Sequence, residues 1–513
     1  MIEAGARVAE PSATAASGAL VNLCAADGAR YALQPNLELV ADRTHAQVGS
    51  GVLFSARPLL AMRLSALAFS LLSALGQGST ATEVARRVPG VSAREAATFL
   101  DSLVCRRLLI RTPAALVRWP RVTIIVAARN RPAASRRCVE SLLAIDYPGE
   151  REILVVDDAS EPPLRTVLGD LPIRLLRCAR NIGPSAARNR AAAEAEGELV
   201  AFIDNDCEAD PAWLRVLVPH FADPRIGIVG GRVIAPPPDG RIAAFETVRS
   251  PLDMGPNAGP VGPNEAIAYL PTCNLIVRSD ILLAERGFAS EMQLGEDVDF
   301  IWRVLERGHS AWYEPQGRIV HHHRDRLGAL LARRADYASS EADLQCRHRQ
   351  NRRTLRLPRV SLLALATVTI ALVSPPLALA GTMLIAAIVA FEVRAKWSRL
   401  RGMGLLVSLG DVGAALLREH GAALYHLSAS TVRYEGLILL AAGLVVPALL
   451  PAIAVLLLTA PVIDYRRLRP PLAPSTFVGL YWLEMAAYQL GVWRGCLRRR
   501  TLRPFLPRVR WER

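Results

Sequence analysis

The feature that most constrains the fold of this chain is a regular alternation of short apolar strands and helices between Trp119 and about Arg326. Such alternation is typical of an α/β domain with a doubly wound, Rossmann-like sheet, in which ligands bind at the carboxyl ends of the strands. The predicted elements are strands at 122–128, 152–156, 173–176 and 199–203, and helices at 133–144 and 184–196. We therefore expect functional side chains where these strands end.

Acidic residues follow two of the predicted strands. Asp157 and Asp158 end the second strand, and Asp204 and Asp206 flank Asn205 at the end of the fourth. Carboxylates two residues apart can present oxygen atoms to one hard divalent cation, which then bridges a diphosphate. Adjacent carboxylates can accept hydrogen bonds from a base or a ribose hydroxyl. Each pattern alone is also common in surface loops, so neither decides the function by itself.

Two further polar clusters follow along the chain. Glu296 and Asp297 open a predicted helix, where acids either compensate the helix dipole or supply a general base. His321, His322 and His323 end an apolar run, and on a strand the first and third of them share one face. They form either a solvated strand end or an imidazole ligand for a metal. The occurrence of all four clusters on one predicted domain favours the functional interpretation.

Five stretches that carry these clusters resemble family 2 glycosyltransferases of the GT-A fold: VTIIVAARNRP (122–132), EILVVDDAS (152–160), NIGPSAARNRA (181–191), ELVAFIDNDC (198–207) and GEDVDFIWRVLERG (295–308). The resemblance implies an inverting enzyme that uses a UDP-sugar donor and Mg²⁺ or Mn²⁺. Its implied site residues are Asn130 and Asp158 at the uridine with Asp157 in support, Arg188 near the nucleotide, Asp204 and Asp206 at the metal and diphosphate, Asp297 as catalytic base beside Glu296, and His321 or His323 as a metal ligand.

Residues 19–113 are predicted to form a separate module, behind a disordered stretch at 1–18. Short strands and three short helices are typical of a winged-helix-like α+β module. That shape commonly binds DNA, but no helix here combines a basic stripe with Asn or Gln for reading bases, so we expect no nucleic-acid partner. The module resembles the PqqD-like peptide-recognition modules of peptide-modification systems.

Residues 357–497 are predicted to associate with a membrane. The runs 360–391 and 434–463 are almost wholly apolar, with prolines inside them and basic residues on both flanks. Since basic flanks favour the cytoplasmic side, we predict helical hairpins, formed either by re-entrant arms of about 15 residues or by ordinary tilted spans of about 20 residues. The segments 402–427 and 477–497 are predicted to lie at the interface, and the basic tail 498–513 to bind anionic lipid.

The order of a PqqD-like module, a family 2 domain at 119–345 and a membrane region resembles the glycosyltransferase family of mycofactocin systems. This resemblance implies transfer of β-1,4-linked glucose from UDP-glucose to a peptide-derived redox cofactor. The QxxRW signature of processive polysaccharide synthases is absent after His323. Two alternatives stay open, namely a polyprenyl phosphate or other envelope glycolipid or polysaccharide acceptor, and a non-catalytic peptide-binding scaffold.

The composition bears on partners and compartment. A formal net charge of +14 favours an anionic partner, here anionic membrane lipid. The eight cysteines include no CxxC pair, which is typical of reduced thiols in the cytosol. The N-terminus lacks the apolar run of a signal peptide. We therefore expect the protein at the inner or plasma membrane, with its catalytic domain in the cytoplasm.

Overall fold

The computed structural model describes residues 28–41, 50–56, 58–263, 265–322 and 326–511. The predicted disordered stretch at 1–18 and the predicted metal ligand His323 lie outside these residues.

The N-terminal module consists of two small antiparallel sheets and the helices packed on them. Its elements are β1 (Arg30–Leu33), β2 (Glu38–Ala41), β3 (Gly51–Ala56), β4 (Leu59–Leu64), α1 (Ala66–Ser73), β5 (Ser79–Thr80), α2 (Ala81–Arg87), α3 (Ala93–Cys105) and β6 (Leu109–Thr112). The strand orders are β5-β1-β6 and β2-β3-β4. Thr80 and Ser92 cap α2 and α3. Each side chain accepts a hydrogen bond from the backbone N–H three residues on, and each backbone N–H donates to the carboxylate of Glu83 or Glu95.

The α/β domain is built on one long sheet. Its strands are β7 (Val122–Ala128), β8 (Arg151–Asp157), β9 (Arg174–Arg177), β10 (Leu199–Asp204), β11 (Cys207–Ala209), β12 (Ile226–Ile234), β13 (Gly259–Val261), β14 (Leu275–Arg278) and β15 (Ser310–His321). Its helices are α4 (Pro132–Leu143), α5 (Arg165–Leu168), α6 (Pro184–Ala192), α7 (Trp213–Leu217), α8 (Gly240–Arg249), α9 (Ser279–Ala284), α10 (Glu296–Glu306) and α11 (Leu327–Arg347).

The sheet has a parallel half and a mixed half. Its order is β11-β15-β12-β14-β10-β7-β8-β9, with β13 paired to β15. Strands β10, β7, β8 and β9 run parallel, as predicted. The Rossmann-like winding is limited to this half, because in the other half β14 runs antiparallel to both β10 and β12. Leu275–Arg278 is buried on both faces, and such a run has the same apolar pattern in either direction.

The C-terminal region is helical and ends in a short strand. Its elements are β16 (Thr354–Leu357), α12 (Arg359–Ile370), α13 (Pro375–Gly402), α14 (Leu409–Tyr434), α15 (Gly436–Val445), α16 (Leu450–Leu468), α17 (Pro474–Arg499) and β17 (Arg508–Trp511). Among the described residues, two helices are long and apolar enough to cross a membrane, at Pro375–Gly402 and Pro447–Leu468.

Each apolar run forms two helices, with prolines in the turn of structure that starts the second half, and Pro461 lies further on inside α16. Pro375 and Pro376 occupy the first turn of α13, where the missing N–H groups would have no helical partner. The helix continues for 28 residues, which is about 42 Å at 1.5 Å per residue. The prediction of two arms of about 15 residues is therefore wrong for this run, because the second arm extends to Gly402.

Helix α17 packs against α11 of the α/β domain, so the prediction that 477–497 lies at an interface is wrong for its buried face. Gly491 and Gly495 lie at the crossing, where a Cβ on either would come within 2.1 Å of Ala335 O or 2.3 Å of Ser339 O. The two backbones approach this closely because the glycines have no side chain.

Buried ion pairs also join the two regions. Arg334 on α11 donates to Glu484 on α17 at 2.6 Å and to Glu246 on α8. Arg249 on α8 lies 3.1 Å from Asp464 on α16 and 3.2 Å from Glu484. Because removing one partner of a buried pair leaves an uncompensated charge, these contacts fix the C-terminal helices on the α/β domain.

The basic tail makes specific contacts with the protein while most of its described residues stay exposed. Arg498 and Arg499 both pair with Asp343 on α11. Further on, β17 pairs in parallel with β16, and Arg508 lies opposite Thr354 in the register. The tail arginines that we predicted to bind lipid are thus divided between a domain contact and a two-stranded ribbon.

Candidate active site

A cavity of about 1450 Å³ opens where the parallel strands end. It is lined on one side by the loops after β7, β8 and β10 and by the start of α10. The C-terminal region supplies the opposite wall. Seven of the predicted site residues line this cavity, namely Asp158, Arg188, Asp204, Asp206, Glu296, Asp297 and His321.

Asp158 and Asp157 play different parts although they are adjacent. Asp158 lines the cavity and accepts hydrogen bonds from the backbone N–H groups of Ile182 (2.8 Å) and Gly183 (3.0 Å). Asp157 is buried and accepts from the backbone of Ser160 and Leu164. Burial alone would raise the pKa of Asp157, but these hydrogen bonds outweigh it and hold the pKa below its ordinary value. Asp157 therefore organises the loop that carries Asp158.

Asn130 does not line the cavity, although we predicted it at the uridine site. Its backbone N–H donates to Ser160 Oγ at 2.8 Å, and its side-chain oxygen accepts from the Glu161 N–H at 3.1 Å. Its φ of 57° lies in the left-handed region, which asparagine tolerates better than most residues. Asn130 thus links the loops after β7 and β8.

Arg188 joins the two acidic clusters. It is buried, and it donates to Asp204 Oδ1 at 2.7 Å and to Glu296 Oε1 at 3.1 Å. Burial favours the neutral form of the guanidinium, but the carboxylates of Asp204 and Glu296 outweigh it and raise the pKa of Arg188 above its ordinary value. A permanent positive charge therefore lies between the end of β10 and the start of α10.

Asp206 and His321 face each other at the end of the sheet. His321 Nε2 lies 3.5 Å from Asp206 Oδ1, because the antiparallel pairing of β11 with β15 places His321 opposite Cys207. Ligand atoms of Asp206, Cys207 and His321 lie within 4.8 Å of one another. The Cys207 thiol is buried beside Cys273, and burial raises its pKa well above the ordinary value, so it stays protonated.

Arg131 is a cavity residue that our prediction missed. Its guanidinium donates to Asp206 Oδ2 at 2.6 Å, which leaves Oδ1 on the side of His321. It lies at the N-terminus of α4 with a φ of 55°. Its position in the sequence ARNRP could have indicated this role, because it lies between the end of a strand and a proline that starts a helix.

Asp297 lies at the N-terminus of α10 and faces the cavity. Burial and the adjacent charge of Glu296 raise the pKa of Asp297 to about 7, against the opposing effect of a backbone hydrogen bond from Val298. A carboxylate with a pKa near neutrality is suited to removing a proton at physiological pH.

The C-terminal wall of the cavity is rich in arginine and tyrosine. It includes Arg333, Tyr337, Glu341, Arg352, Arg353, Arg356, Arg433, Tyr434, Tyr488, Arg508 and Arg510. These residues come from α11 of the α/β domain, from the loop before β16, and from α14, α17 and the β16–β17 ribbon, far apart in sequence. No local motif marks them, so they could not be assigned to the site from sequence.

Comparison with known proteins decides the family. Residues 123–280 match the family model described as Glycosyl transferase family 2. The chain contains a family 2 glycosyltransferase domain. The matched segment begins in β7, contains Asp158, Arg188, Asp204 and Asp206, and ends in α9. With this family and the half-parallel, half-mixed sheet, the domain has a GT-A-like glycosyltransferase fold.

Similarity to individual proteins extends past this domain. The chain is 29% identical over 400 residues to the pre-mycofactocin glycosyltransferase of Mycobacterium tuberculosis, which covers 76% of this chain and 82% of that protein. It is 33% identical over 144 residues to the beta-monoglucosyldiacylglycerol synthase of Synechocystis, covering 25% of this chain and 30% of that protein.

Among solved structures, a mannosyltransferase from Pyrobaculum calidifontis in complex with GDP-Man and Mn²⁺ aligns at 21% identity with a TM-score of 0.36. That alignment covers 68% of this chain and 88% of the other. The family assignment rests on the sequence match, and it makes the protein a glycosyltransferase. The alternative of a non-catalytic scaffold is therefore wrong.

Proposed function

We propose that this protein is a membrane-associated inverting glycosyltransferase that transfers glucose from UDP-glucose to the peptide-derived redox cofactor mycofactocin, extending a β-1,4-linked glucan. The observation that carries this proposal is the 29% identity to the pre-mycofactocin glycosyltransferase over 76% of this chain. An alignment of that extent includes sequence on at least one side of the matched 123–280 segment, where an acceptor-specific region would lie.

Donor binding is proposed for the end of the parallel half-sheet. Asp158 holds the backbone at Ile182 and Gly183, and this loop leads into α6 and Arg188. Nucleotides bind at this place in α/β sheets because the strand ends form a crevice. We assign the uridine to the side of Asp158, and the diphosphate to the side of Arg188 and Asp204.

Proton transfer is proposed for Asp297. Its carboxylate takes the proton from an acceptor hydroxyl, and the hydroxyl oxygen attacks the anomeric carbon from the face opposite UDP. The bond from that carbon to the diphosphate oxygen breaks, UDP leaves, and an α-linked donor gives a β-linkage. Arg188 limits the charge around the base by neutralising Glu296.

Asp206 and His321 would hold the divalent cation. Asp206 Oδ1 and His321 Nε2 face each other, whereas the protonated Cys207 thiol is a poor ligand for a hard cation. The imidazole favours Mn²⁺ over Mg²⁺. When bound, the cation stabilises the negative charge that develops on the leaving diphosphate. Arg131 holds Asp206 Oδ2 and so orients the carboxylate.

A second candidate acceptor is a polyprenyl phosphate or another envelope glycolipid. The observation that favours it is α13, whose most apolar stretch is not buried against the protein. An unburied apolar stretch of 18 residues is suited to a lipid environment, and a membrane-bound enzyme can take its acceptor from the bilayer.

The test is release of the nucleoside diphosphate, UDP or GDP, by the full-length protein in neutral detergent with Mn²⁺, across a panel of UDP- and GDP-sugars. Release from UDP-glucose that is stimulated by a pre-mycofactocin acceptor supports the proposal. Stimulation by polyprenyl phosphate instead supports the second candidate. Absence of release with every donor, from protein that melts cooperatively, would overturn both. Asp297→Asn serves as the inactive reference in each assay.

A further inference from the structure

The β16–β17 ribbon presents a row of arginines to the active-site cavity. Arg356 on β16 lies directly opposite Arg510 on β17, and both line the cavity together with Arg508. We call these three residues the arginine ribbon. Partners in neighbouring strands lie about 4.8 Å apart, and like charges directly opposite each other are destabilising. All three residues are exposed, so water screens their charges, and a negative charge beside them would be stabilised.

No such charge comes from the described part of the protein. None of the three ribbon arginines forms an ion pair with a described residue, and neither does Arg352 beside them. By contrast, Arg353 pairs with Glu435 at 2.9 Å, and Arg433 with Glu341 at 3.3 Å. The ribbon therefore differs from Arg353 and Arg433 of the same wall, whose charges are paired.

The carboxylates of the cavity lie mainly on the other wall. Asp158, Asp204, Asp206 and Asp297 come from the matched family domain or from α10, and Arg188 and Arg131 neutralise two of them. The cavity thus has an acidic side, where we place the nucleotide sugar and its cation, and a basic side supplied by segments after residue 350.

The other face of the ribbon is apolar. Val509 and Trp511 alternate with the arginines of β17 and are 53% and 59% exposed. Strand β16 leads at once into α12, which begins at Arg359. The ribbon therefore has a charged face toward the cavity and an apolar face away from it. Such an edge suits a ligand that has both an anionic group and an apolar part.

We propose that the arginine ribbon, with Arg352, is an acceptor subsite that binds a phosphate or carboxylate group of the acceptor. This deepens the proposed function, since it assigns the acceptor to the class of anionic molecules. Guanidinium groups bind both anions through charge-assisted, often bidentate hydrogen bonds. With its anion on the ribbon, the acceptor extends its hydroxyl across the cavity toward Asp297.

The first measurement is isothermal titration of butyl phosphate into the full-length protein in neutral detergent with EDTA, so that no cation at Asp206 bridges the ligand. We expect saturable binding by the wild type and at least tenfold weaker binding by Arg356→Gln/Arg510→Gln. The matched control is Arg165→Gln/Arg241→Gln, which removes the same charge from exposed helix positions outside the cavity. Equal affinity in all three proteins would overturn the proposal.

Arg508→Gln is a milder variant, because Arg508 lies opposite Thr354 and its loss leaves the Arg356–Arg510 pair intact. It should weaken binding less than the double variant. If the double variant does not melt like the wild type, Arg508→Gln decides, and unchanged affinity in it counts against the subsite.

Kinetics separate an acceptor site from a donor site. In the double variant we expect the KM for UDP-glucose and the acceptor-free hydrolysis rate to stay within twofold of wild type, while the acceptor KM rises. A raised KM for UDP-glucose with an unchanged acceptor KM would assign the ribbon to the donor diphosphate and overturn the proposal. Because the titration needs no turnover, anion binding is tested even if glucose transfer fails.

A second ligand shows whether the anionic acceptor is a lipid or a soluble molecule. Farnesyl phosphate has the same anionic group as butyl phosphate and adds an isoprenoid chain. Tighter binding of farnesyl phosphate supports a glycolipid acceptor, in which the anionic group and the reacting hydroxyl are separate, and equal binding supports a soluble anionic acceptor. In both cases the double variant must bind less tightly than the wild type.

Discussion

Arg188 Nη1 donates to Glu296 Oε1 at 3.1 Å, and this contact connects the nucleotide side of the cavity to the catalytic helix. The same guanidinium holds Asp204 at 2.7 Å, so one buried charge orients carboxylates from two distant motifs. Arg188 lies on α6, so this helix connects the two acidic clusters.

Loss of this bridge should damage both stability and donor binding. We expect Arg188→Met to lower the free energy of unfolding by about 3 kcal/mol, because it leaves two carboxylates without their buried partner. The donor KM should rise at least tenfold. Arg190→Met, at an exposed position of the same helix, is the control and should change stability by less than about 0.5 kcal/mol. Chemical denaturation with equal m-values checks the result.

Asp297→Asn should separate chemistry from binding. Removing a general base costs about 10²- to 10⁴-fold in rate, so we expect kcat to fall by that factor. The dissociation constant of UDP-glucose should stay within threefold, since the amide has nearly the same shape. Asp280→Asn, an exposed acid in the first turn of α9, should leave kcat unchanged. A parallel loss of donor affinity in Asp297→Asn would remove the base assignment.

The pH dependence follows from the raised pKa of Asp297, about 7. Because the base acts in its ionised form, log kcat/KM should rise with unit slope below about pH 7 and level off above it. Glu296→Gln removes the neighbouring charge that contributes to this pKa, so it should move the acid limb to lower pH. An acid limb that stays in place would show that Asp297 does not control the rate.

The raised pKa of Asp297 also predicts that ionisation of this carboxyl group lowers the stability of the fold, although the same ionisation raises activity. A carboxylate with a folded pKa above its unfolded value destabilises the fold as pH rises between the two values, here from about 4 to about 7. Asp297→Asn should therefore raise the free energy of unfolding at pH 8 by about 2 kcal/mol, and much less at pH 4. Thermal melts at both pH values test this, and an equal effect at both would contradict it.

Cation binding should depend on Asp206 and His321. His321→Ala should raise the Mn²⁺ concentration for half-maximal activity by at least tenfold, because it removes one of two facing ligand atoms. His322→Ala is the matched control, since His322 pairs with Glu208 at 2.7 Å instead. Electron paramagnetic resonance of Mn²⁺ gives binding independently of turnover. Equal Mn²⁺ affinity in both variants would exclude His321 as a ligand.

The close approach of α17 to α11 gives a packing prediction. A side chain at Gly491 would meet the Ala335 carbonyl oxygen at 2.1 Å, so Gly491→Val should destabilise the protein by about 2 kcal/mol or more. Gly479→Ala, in the same helix with no atom within 4 Å of its Cβ, should be neutral or stabilise by up to about 1 kcal/mol. Similar melting of the two variants would mean that α17 does not dock as described.

The sequence predicted the side of the cavity formed by the strand ends and the start of α10, but not the arginine- and tyrosine-rich wall opposite it. Asp158, Asp204, Asp206 and Asp297 line the cavity as predicted, because strand ends and a helix start can be recognised from local patterns. Asn130 lies between the cavity-lining residues Arg129 and Arg131 without lining the cavity itself, since a motif gives a position in the chain and not the direction of a side chain. The roles of all these residues stay predictions.

The remaining differences arise from long-range contacts. The direction of β14 depends on its connections, and its apolar pattern is the same either way. The arginine ribbon needs β17 to pair with β16, more than 150 residues earlier in the chain.

The most direct test of the proposed function is mass spectrometry of a pre-mycofactocin acceptor after incubation with the full-length protein, UDP-glucose and Mn²⁺, followed by proton NMR of the new anomeric centre. We predict products heavier by whole hexose units with β-configuration, absent with Asp297→Asn. An unmodified acceptor in a reaction that glucosylates polyprenyl phosphate, or a product with α-configuration, would contradict the account.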